Sequence, residues 1–438
     1  MNDIQIKFLH KANINADKYR QLRDFYSNIE ISKITIGDVI SGLKGIPCLI
    51  TDTSKVDPEH GIHYRNFSIR QLQKTLPCIN NDIDPLPEAL FYLLLTGDIP
   101  KKDDVENIYK SWSNRNNVPH YVFDIIDSFP TDSLPMAIFS TAIISMSKDS
   151  IFQQAHERGI NKKDYWETYY EDIMNLIARL PRIAAYIYRR LYHNNQQIES
   201  NTKLDWSANF AHMMGFNSVD MTRLLRLHAI VHADHEGGNI TAHTAHLIGS
   251  GLSNIYYSFG GSMLGLAGPL HGYASQNVMH WIFGLINETG SQEPSEQEII
   301  NYCKKTLSLG QKIPGYGHAV LKKTDPRFIA QKEFADKYIK NDNLVNLVNK
   351  IYTVVPEFLK STNKVRNPWP NVDAFSGVLF NHYGIKEHNF YTVLFGVSRS
   401  LGVLVSLLND RVYNVPIERP NSYPLEWYLN LAKGKKNL

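Results

Sequence analysis

Residues 391–408 read YTVLFGVSRSLGVLVSLL. Apolar side chains occupy nearly every angle of the helix this segment would form, which predicts burial on all faces, in a core or at an interface. Arg399 stands in its middle. Removing a guanidinium from water costs several kcal/mol unless an anion answers it, so this position calls for an internal carboxylate or for an anionic ligand. The helix by itself does not choose between them.

Outward from this segment, apolar residues recur at three- and four-residue spacing around 87–97, 102–116, 135–148, 164–193, 218–234, 272–286, 326–338, 342–358 and 390–410. Strand-like alternation is scarce, and the expected fold is nearly all-α. Pro87, Pro130, Pro294, Pro326 and Pro424 fall near helix starts or linkers, and Ser295 with Glu298 has the spacing of a capping box. With 438 residues and 43% hydrophobic content, the chain can bury a large core in more than one compact unit.

Lys plus Arg is 46 against 43 for Asp plus Glu. So small a net charge, evenly spread, argues against nucleic acid or a membrane surface as partner; an anion bound here is small and locally held. Cys48, Cys78 and Cys303 are odd in number and lack CxxC spacing, which speaks for a reducing compartment and against a disulfide framework or a structural zinc site. No uninterrupted apolar run reaches the ~18 residues of a membrane helix. The first twenty residues carry Asp3 and Asp17 with a single arginine, Arg20, which resembles neither a secretory signal nor a presequence. The expected location is the cytoplasm, or the mitochondrial matrix if a presequence has been removed.

Residues 232–246, HADHEGGNITAHTAH, offer His232, Asp234, His235, Glu236, His243 and His246 as metal ligands, with His243 and His246 three apart on a helix. A metal-dependent hydrolase is one reading. Against it, HExxH is missing and Gly237-Gly238-Asn239 breaks the helix between the two clusters. Further on, His271 in GPLHG follows Pro269 at an expected helix start, where the helix dipole favours a neutral imidazole. In KIPGYGHAVLKKTDPR, Gly315 and Gly317 hold His318 on a tight loop, and Arg327 is suited to gripping a carboxylate through two hydrogen bonds. Asp373 follows a rigid Pro-Trp-Pro turn; its apolar neighbours raise its affinity for a proton, although a helix N-cap is the plainer role.

These phrases together resemble one family. GPLHG at 268–272, PGYGHAV at 314–320, NPWPNVDAFSG at 367–377, FGVSRSLG at 395–402 and ERP at 418–420 look like the signature segments of citrate synthase, in order. DHEGGN at 234–239 and KLDWSANF at 203–210 extend the likeness over nearly the whole chain, and the segments are more similar to the long, mitochondrial type. The resemblance implies a two-domain, all-α homodimer, with a large domain over 1–271 and 379–438 and a smaller mobile domain over 272–378. It implies condensation of acetyl-CoA with oxaloacetate and water to give citrate and CoA, without metal or other cofactor. Asp373 becomes the base that takes a methyl proton, His271 the donor to the resulting enol, and His318 the group that polarises the oxaloacetate carbonyl. Oxaloacetate falls to His235, Asn239, His318, Arg327, Phe395, Arg399 and Arg419, the last supplied by the partner subunit. CoA falls to Lys44, Lys162, Leu270, Lys312, Gly315, Gly317, Lys322, Arg366 and Asn371.

Two departures accompany the likeness. Lys44, Lys162 and Lys322 stand where the family's animal enzyme tends to carry arginines against CoA phosphates; lysine keeps the charge and loses the planar fork. Phe375 replaces a residue often written as histidine, which keeps a bulkier acyl group, as in 2-methylcitrate synthase, among the readings. A non-catalytic structural protein is the reading furthest from these.

Overall fold

The computed structural model describes residues 1–78, 85–363, 365 and 367–434. The periodic segments fold as Pro87–Thr96, Lys102–Arg115, Pro135–Ser145, Tyr165–Tyr192, Val219–His232, Ala274–Thr289, Pro326–Tyr338, Asn343–Ser361 and Tyr391–Tyr413. Pro87 and Pro326 occupy first-turn positions, and Ser295 forms its capping box with Glu298 at the start of Glu296–Ser308. One long helix escaped the periodicity. Asp3–Phe25 is mostly polar and buries Ile4, Phe8, Ala12 and Ala16, an apolar stripe one residue wide at four-residue spacing, with Gln5 buried beside it.

The Tyr391–Tyr413 helix is the axis of the larger group of helices. It packs against Tyr165–Tyr192, Val219–His232, Asp3–Phe25, Ile255–Leu266 and Pro87–Thr96. By length and composition residues 388–413 could cross a membrane, but 94% of the most apolar window is buried inside the protein, as befits a core helix. Gly402 lets a second segment come close: a Cβ there would overlap the Asp234 side chain, and the Gly402 amide donates to the Ala233 carbonyl at 3.0 Å. The turn after Val219–His232 is thereby laid directly on the central helix.

A second group of helices, Ala274–Thr289, Glu296–Ser308, Pro326–Tyr338, Asn343–Ser361 and Asp373–His382, packs largely on itself. It touches the first group where Pro326–Tyr338 meets Val219–His232 and Ile69–Thr75, and where Ala274–Thr289 meets the central helix.

A little strand accompanies the helices, within the nearly all-α expectation. Ser54–Asp57, Gly61–Tyr64 and Phe67–Ser68 form a three-stranded antiparallel sheet, with Val56 opposite Ile62. Strands this short leave almost no alternation to read. The sheet holds the site: Ser54 Oγ donates to Asp234 Oδ2 at 2.7 Å, and Val56 N donates to Glu236 Oε1 at 2.6 Å.

Candidate active site

The central helix delivers Arg399 into a closed environment, 2% exposed. Its Nε donates to the His232 carbonyl at 2.9 Å, and its guanidinium lies 4.7 Å from the Phe395 ring centroid. Nη1 is buried without a hydrogen-bond partner among the described residues. Burial brings its pKa down to about 10, with Asp234 and Tyr64 opposing the fall and the nearby Arg327 adding to it. A cation in this condition is a binding site for an anion.

Arg327, in the first turn of Pro326–Tyr338, is 4% exposed. Burial opposes its charge, but Asp325 more than compensates, accepting from Nη2 at 2.7 Å and from Nε at 3.0 and 3.1 Å. Part of the fork expected to face a ligand is therefore held internally.

His318 sits on a loop whose glycines are required. Gly315 and Gly317 have φ of 79° and 87°, and a Cβ on Gly315 would lie 2.9 Å from Ala374 Cα and Val278 Cγ2. The loop is tied to 367–373 by Gly317 N to the Trp369 carbonyl (2.9 Å), Asn371 N to the Gly315 carbonyl (2.9 Å) and Asn371 Nδ2 to the Gly317 carbonyl (3.0 Å). Backbone amides of Val320 and Leu321 donate to His318 Nδ1 at 3.0 and 3.1 Å. In the neutral ring the proton must then reside on Nε2. Burial and then Arg327 hold the imidazole neutral, its pKa brought down to about 4.

The His235 ring lies 5.5 Å from that of His318, and burial followed by Arg327, Arg399 and His318 keeps it well below the ordinary histidine value. Asn239, expected at the substrate, bonds to the backbone here. Its Nδ2 donates to the His235 carbonyl at 2.7 Å, and its Oδ1 caps Ile240–Ser250 through Ala242 N at 3.1 Å.

His271 corrects an expectation about cause. It lies in the turn before Ala274–Thr289, not within the helix start, and its pKa falls to about 4 through burial and then Arg399. Its Nε2 is 2.7 Å from Thr241 Oγ1. Asp373 is the first residue of Asp373–His382 and makes no cap. Its Oδ1 accepts from Ser275 Oγ at 2.9 Å, while burial raises its proton affinity against the pull of Ser275 and Arg327. The groups acting on His235, His271, His318 and Asp373 recur from one to the next, Arg399 or Arg327 for each, so the four share one electrostatic neighbourhood.

The other histidines of 232–246 diverge. His232 Nδ1 faces the His228 carbonyl at 3.2 Å, His243 pairs with Glu418 at 2.8 Å, and His246 lies between Asp410 and Ser406. No cluster of three or more His, Cys, Asp or Glu suited to a metal occurs among the described residues. Phe375 is wholly buried, edge-on to Phe328 at 5.7 Å, where it is core packing. Lys44, Lys162, Leu270, Lys312, Lys322 and Arg419 are exposed. Lys322 approaches Glu59 at 3.8 Å, and Lys162 flanks a cavity of 260 Å³ beside Tyr165, Asp410 and Arg411, apart from the buried cluster. Arg366 lies outside the described residues.

Thr241, Ser275 and Asp325 were missed by sequence reasoning. Each is a small polar residue whose role is set by a partner brought to it: Thr241 is 30 residues from His271, and Ser275 is 98 from Asp373. Asp325, two residues before Arg327, was legible as a local ion pair.

Neutral imidazoles and a carboxyl with raised proton affinity thus surround two buried guanidiniums, an arrangement suited to moving a proton beside a carbonyl while an anionic substrate is held. Comparison with known proteins agrees. The family model described as "Citrate synthase, C-terminal domain" matches residues 42–421. "Citrate synthase 4, mitochondrial" of Arabidopsis thaliana is 48% identical over 411 residues, covering 94% of this chain and 86% of the relative. "Probable citrate synthase, mitochondrial" of Glossina morsitans morsitans is 48% identical over 434 residues, covering 98% and 93%. The crystal structure of citrate synthase from Pyrobaculum aerophilum superposes with a TM-score of 0.75 at 26% identity, covering 91% of this chain and 98% of that one.

The cytoplasmic expectation is corrected by these names, which point to mitochondria. The charge balance of twenty residues carried no address. Nor do the relatives support the 2-methylcitrate reading, and Phe375, packed in the core, gives it no foothold. With a family model spanning most of its length and relatives near half identical from end to end, the chain belongs to the citrate synthase family, two-domain helical acyltransferases that condense acetyl-CoA with oxaloacetate.

Proposed function

We propose that the condensation is carried by Asp373, His271 and His318, with Arg399, Arg327 and His235 holding oxaloacetate from within the chain. The unpartnered Nη1 of Arg399 carries this reading, because a buried guanidinium with unused donor capacity meets its match in a substrate carboxylate. Asp373 takes a proton from the acetyl methyl group as the thioester oxygen gains charge. In the tautomer whose Nε2 accepts from Thr241, the His271 proton is on Nδ1 and meets that oxygen. The enol carbon then attacks the oxaloacetate carbonyl, polarised by the Nε2–H of His318, and hydrolysis of the resulting thioester releases citrate and CoA. Neutral imidazoles are suited to this work, since they donate without first having to lose a full charge. No step needs a metal.

Domains over 1–271 with 379–438 and over 272–378 would close on oxaloacetate and expel water before the thioester reacts. The two groups of helices and the joint between them support two such units, although Asp373–His382 packs whole with the second group and so carries that unit past 378. Arg419 is exposed, and the exposed apolar side chains of Ile417, Leu425 and Leu431 in the same C-terminal stretch favour a homodimer in which Arg419 completes the partner's site. Exposed Lys44, Lys162, Lys312 and Lys322 are suited to CoA phosphates. Leu270, which is fully exposed, and the Gly315–Gly317 loop braced by Asn371 are suited to the rest of the cofactor-like substrate, with Arg366 completing the set.

The test is Asp373→Asn, read by steady-state turnover and by calorimetry with oxaloacetate. Turnover should fall by roughly three orders of magnitude or more with oxaloacetate affinity nearly intact. Near-normal turnover would remove Asp373 from the chemistry.

A further inference from the structure

The first turn of Ala274–Thr289 reaches three parts of the site at once. Gln276 Nε2 donates to Thr392 Oγ1 at 2.7 Å, and Thr392 Oγ1 donates to the Gly272 carbonyl at 3.2 Å, which binds the turn after His271 to the central helix. On its other side, Ser275 Oγ donates to Asp373 Oδ1 at 2.9 Å. The close approach needed for that bond depends on Gly377: a Cβ there would press on Met279 Cγ at 2.7 Å and on the Ser275 carbonyl at 3.1 Å. Ser275 is 9% exposed, so little water competes for its hydroxyl.

We infer that Ser275 is a positioning residue for proton abstraction, fixing Asp373 by its Oδ1 so that Oδ2 is presented to the acetyl methyl group. The inference rests on Asp373 being the base. One oxygen held by a rigid helical turn fixes the carboxylate plane, and the second is left to take the proton. The same bond stabilises the ionised form against the desolvation that opposes it, alongside Arg327 and Arg399 and against the like charge of Asp325. Without the hydroxyl, the base would hold its proton to higher pH.

The measurement is kcat/KM for acetyl-CoA at saturating oxaloacetate across pH, in the full-length enzyme, for the parent, Ser275→Ala, Ser275→Cys and Asp373→Asn. In Ser275→Ala the acid limb should move up by roughly one pH unit, about tenfold lower activity on that limb, with oxaloacetate KM unchanged. Ser275→Cys is nearly isosteric with a weaker donor and should shift the limb the same way by less. It carries the test if the alanine variant does not fold. An unmoved acid limb with Asp373→Asn inactive overturns the role of Ser275 alone. An active Asp373→Asn overturns the base assignment and this inference with it. A uniform loss at all pH values, with the limb in place, marks Ser275 as merely structural and also overturns the inference.

Discussion

Arg399 and Arg226 are almost equally buried, 2% and 6% exposed, on two helices that pack against each other. Their surroundings differ in kind. Arg226 donates from Nη2 to Asp205 at 2.7 Å, and Asp205 also caps Trp206–Met214, while Glu88 accepts from Trp206 N at 2.9 Å. Arg399 has a carbonyl, an aromatic face and an unused Nη1. The first charge is answered within the folded chain; the second is kept for an anion from outside. Burial of an arginine is thus uninformative by itself, and what marks a receptor is a buried donor that no group of the protein occupies, as at Nη1 of Arg399.

The sharpest way to break this contrast is Arg399→Met. Loss of a buried charge-assisted contact to the substrate should lower kcat/KM for oxaloacetate roughly a thousandfold. The ligand-free protein should melt at the same temperature or higher, since a poorly compensated buried charge has gone. Steady-state kinetics and thermal melts decide it. Retained oxaloacetate kinetics with a lower melting point would make Arg399 framework after all.

Arg226→Met should do the reverse. Leaving Asp205 and Glu88 as buried carboxylates without their cation should cost about 3 kcal/mol of stability, measured by denaturant titration, with oxaloacetate KM unaltered. A changed KM would mean that the framework cluster reaches the site.

A smaller effect is expected at Glu88, whose pKa is pushed up to about 7 by burial and then by Asp205. Because the folded protein holds this proton more tightly than the unfolded chain, the group's stabilising contribution is full below about 4.5 and lost as pH rises through about 7. Glu88→Gln cannot ionise. Its melting temperature should therefore fall less than the parent's between pH 5 and pH 8, and parallel curves would sink the assignment.

The helices of this fold were legible in the sequence wherever a broad apolar stripe recurs, as in Tyr165–Tyr192 and Asn343–Ser361. Asp3–Phe25 was not, because Ile4, Phe8, Ala12 and Ala16 form a stripe too narrow and too small to stand out from polar neighbours. The sheet at 54–68 was hidden for a different reason: four-residue strands carry at most two alternations. At the site, the identities of Asp373, His271, His318 and Arg399 were visible through their motifs. The neutrality expected of His271 has burial and then Arg399 as its causes, both set by distant packing. The backbone bonds of Asn239 were not legible, because two carbonyls and an open helix end come within its reach only once the turn has folded.

What the sequence by itself determined was local or lexical: helical periodicity, the caps at Pro87 and Ser295, the glycines flanking His318, and the ordered phrases that mark the family. Tertiary structure alone decided how those groups are tuned. It put Val320 and Leu321 amides on Nδ1 of His318 and so placed the proton on Nε2. It brought Ser275 to Asp373 across 98 residues, and it left Nη1 of Arg399 without a hydrogen-bond partner while setting a hydrogen-bonded carboxylate against Arg226 and Arg327. The physical reason is range. Periodicity and capping act over three or four residues of backbone, whereas desolvation and hydrogen-bond satisfaction depend on which distant elements pack together, and that is known only once the chain has closed on itself.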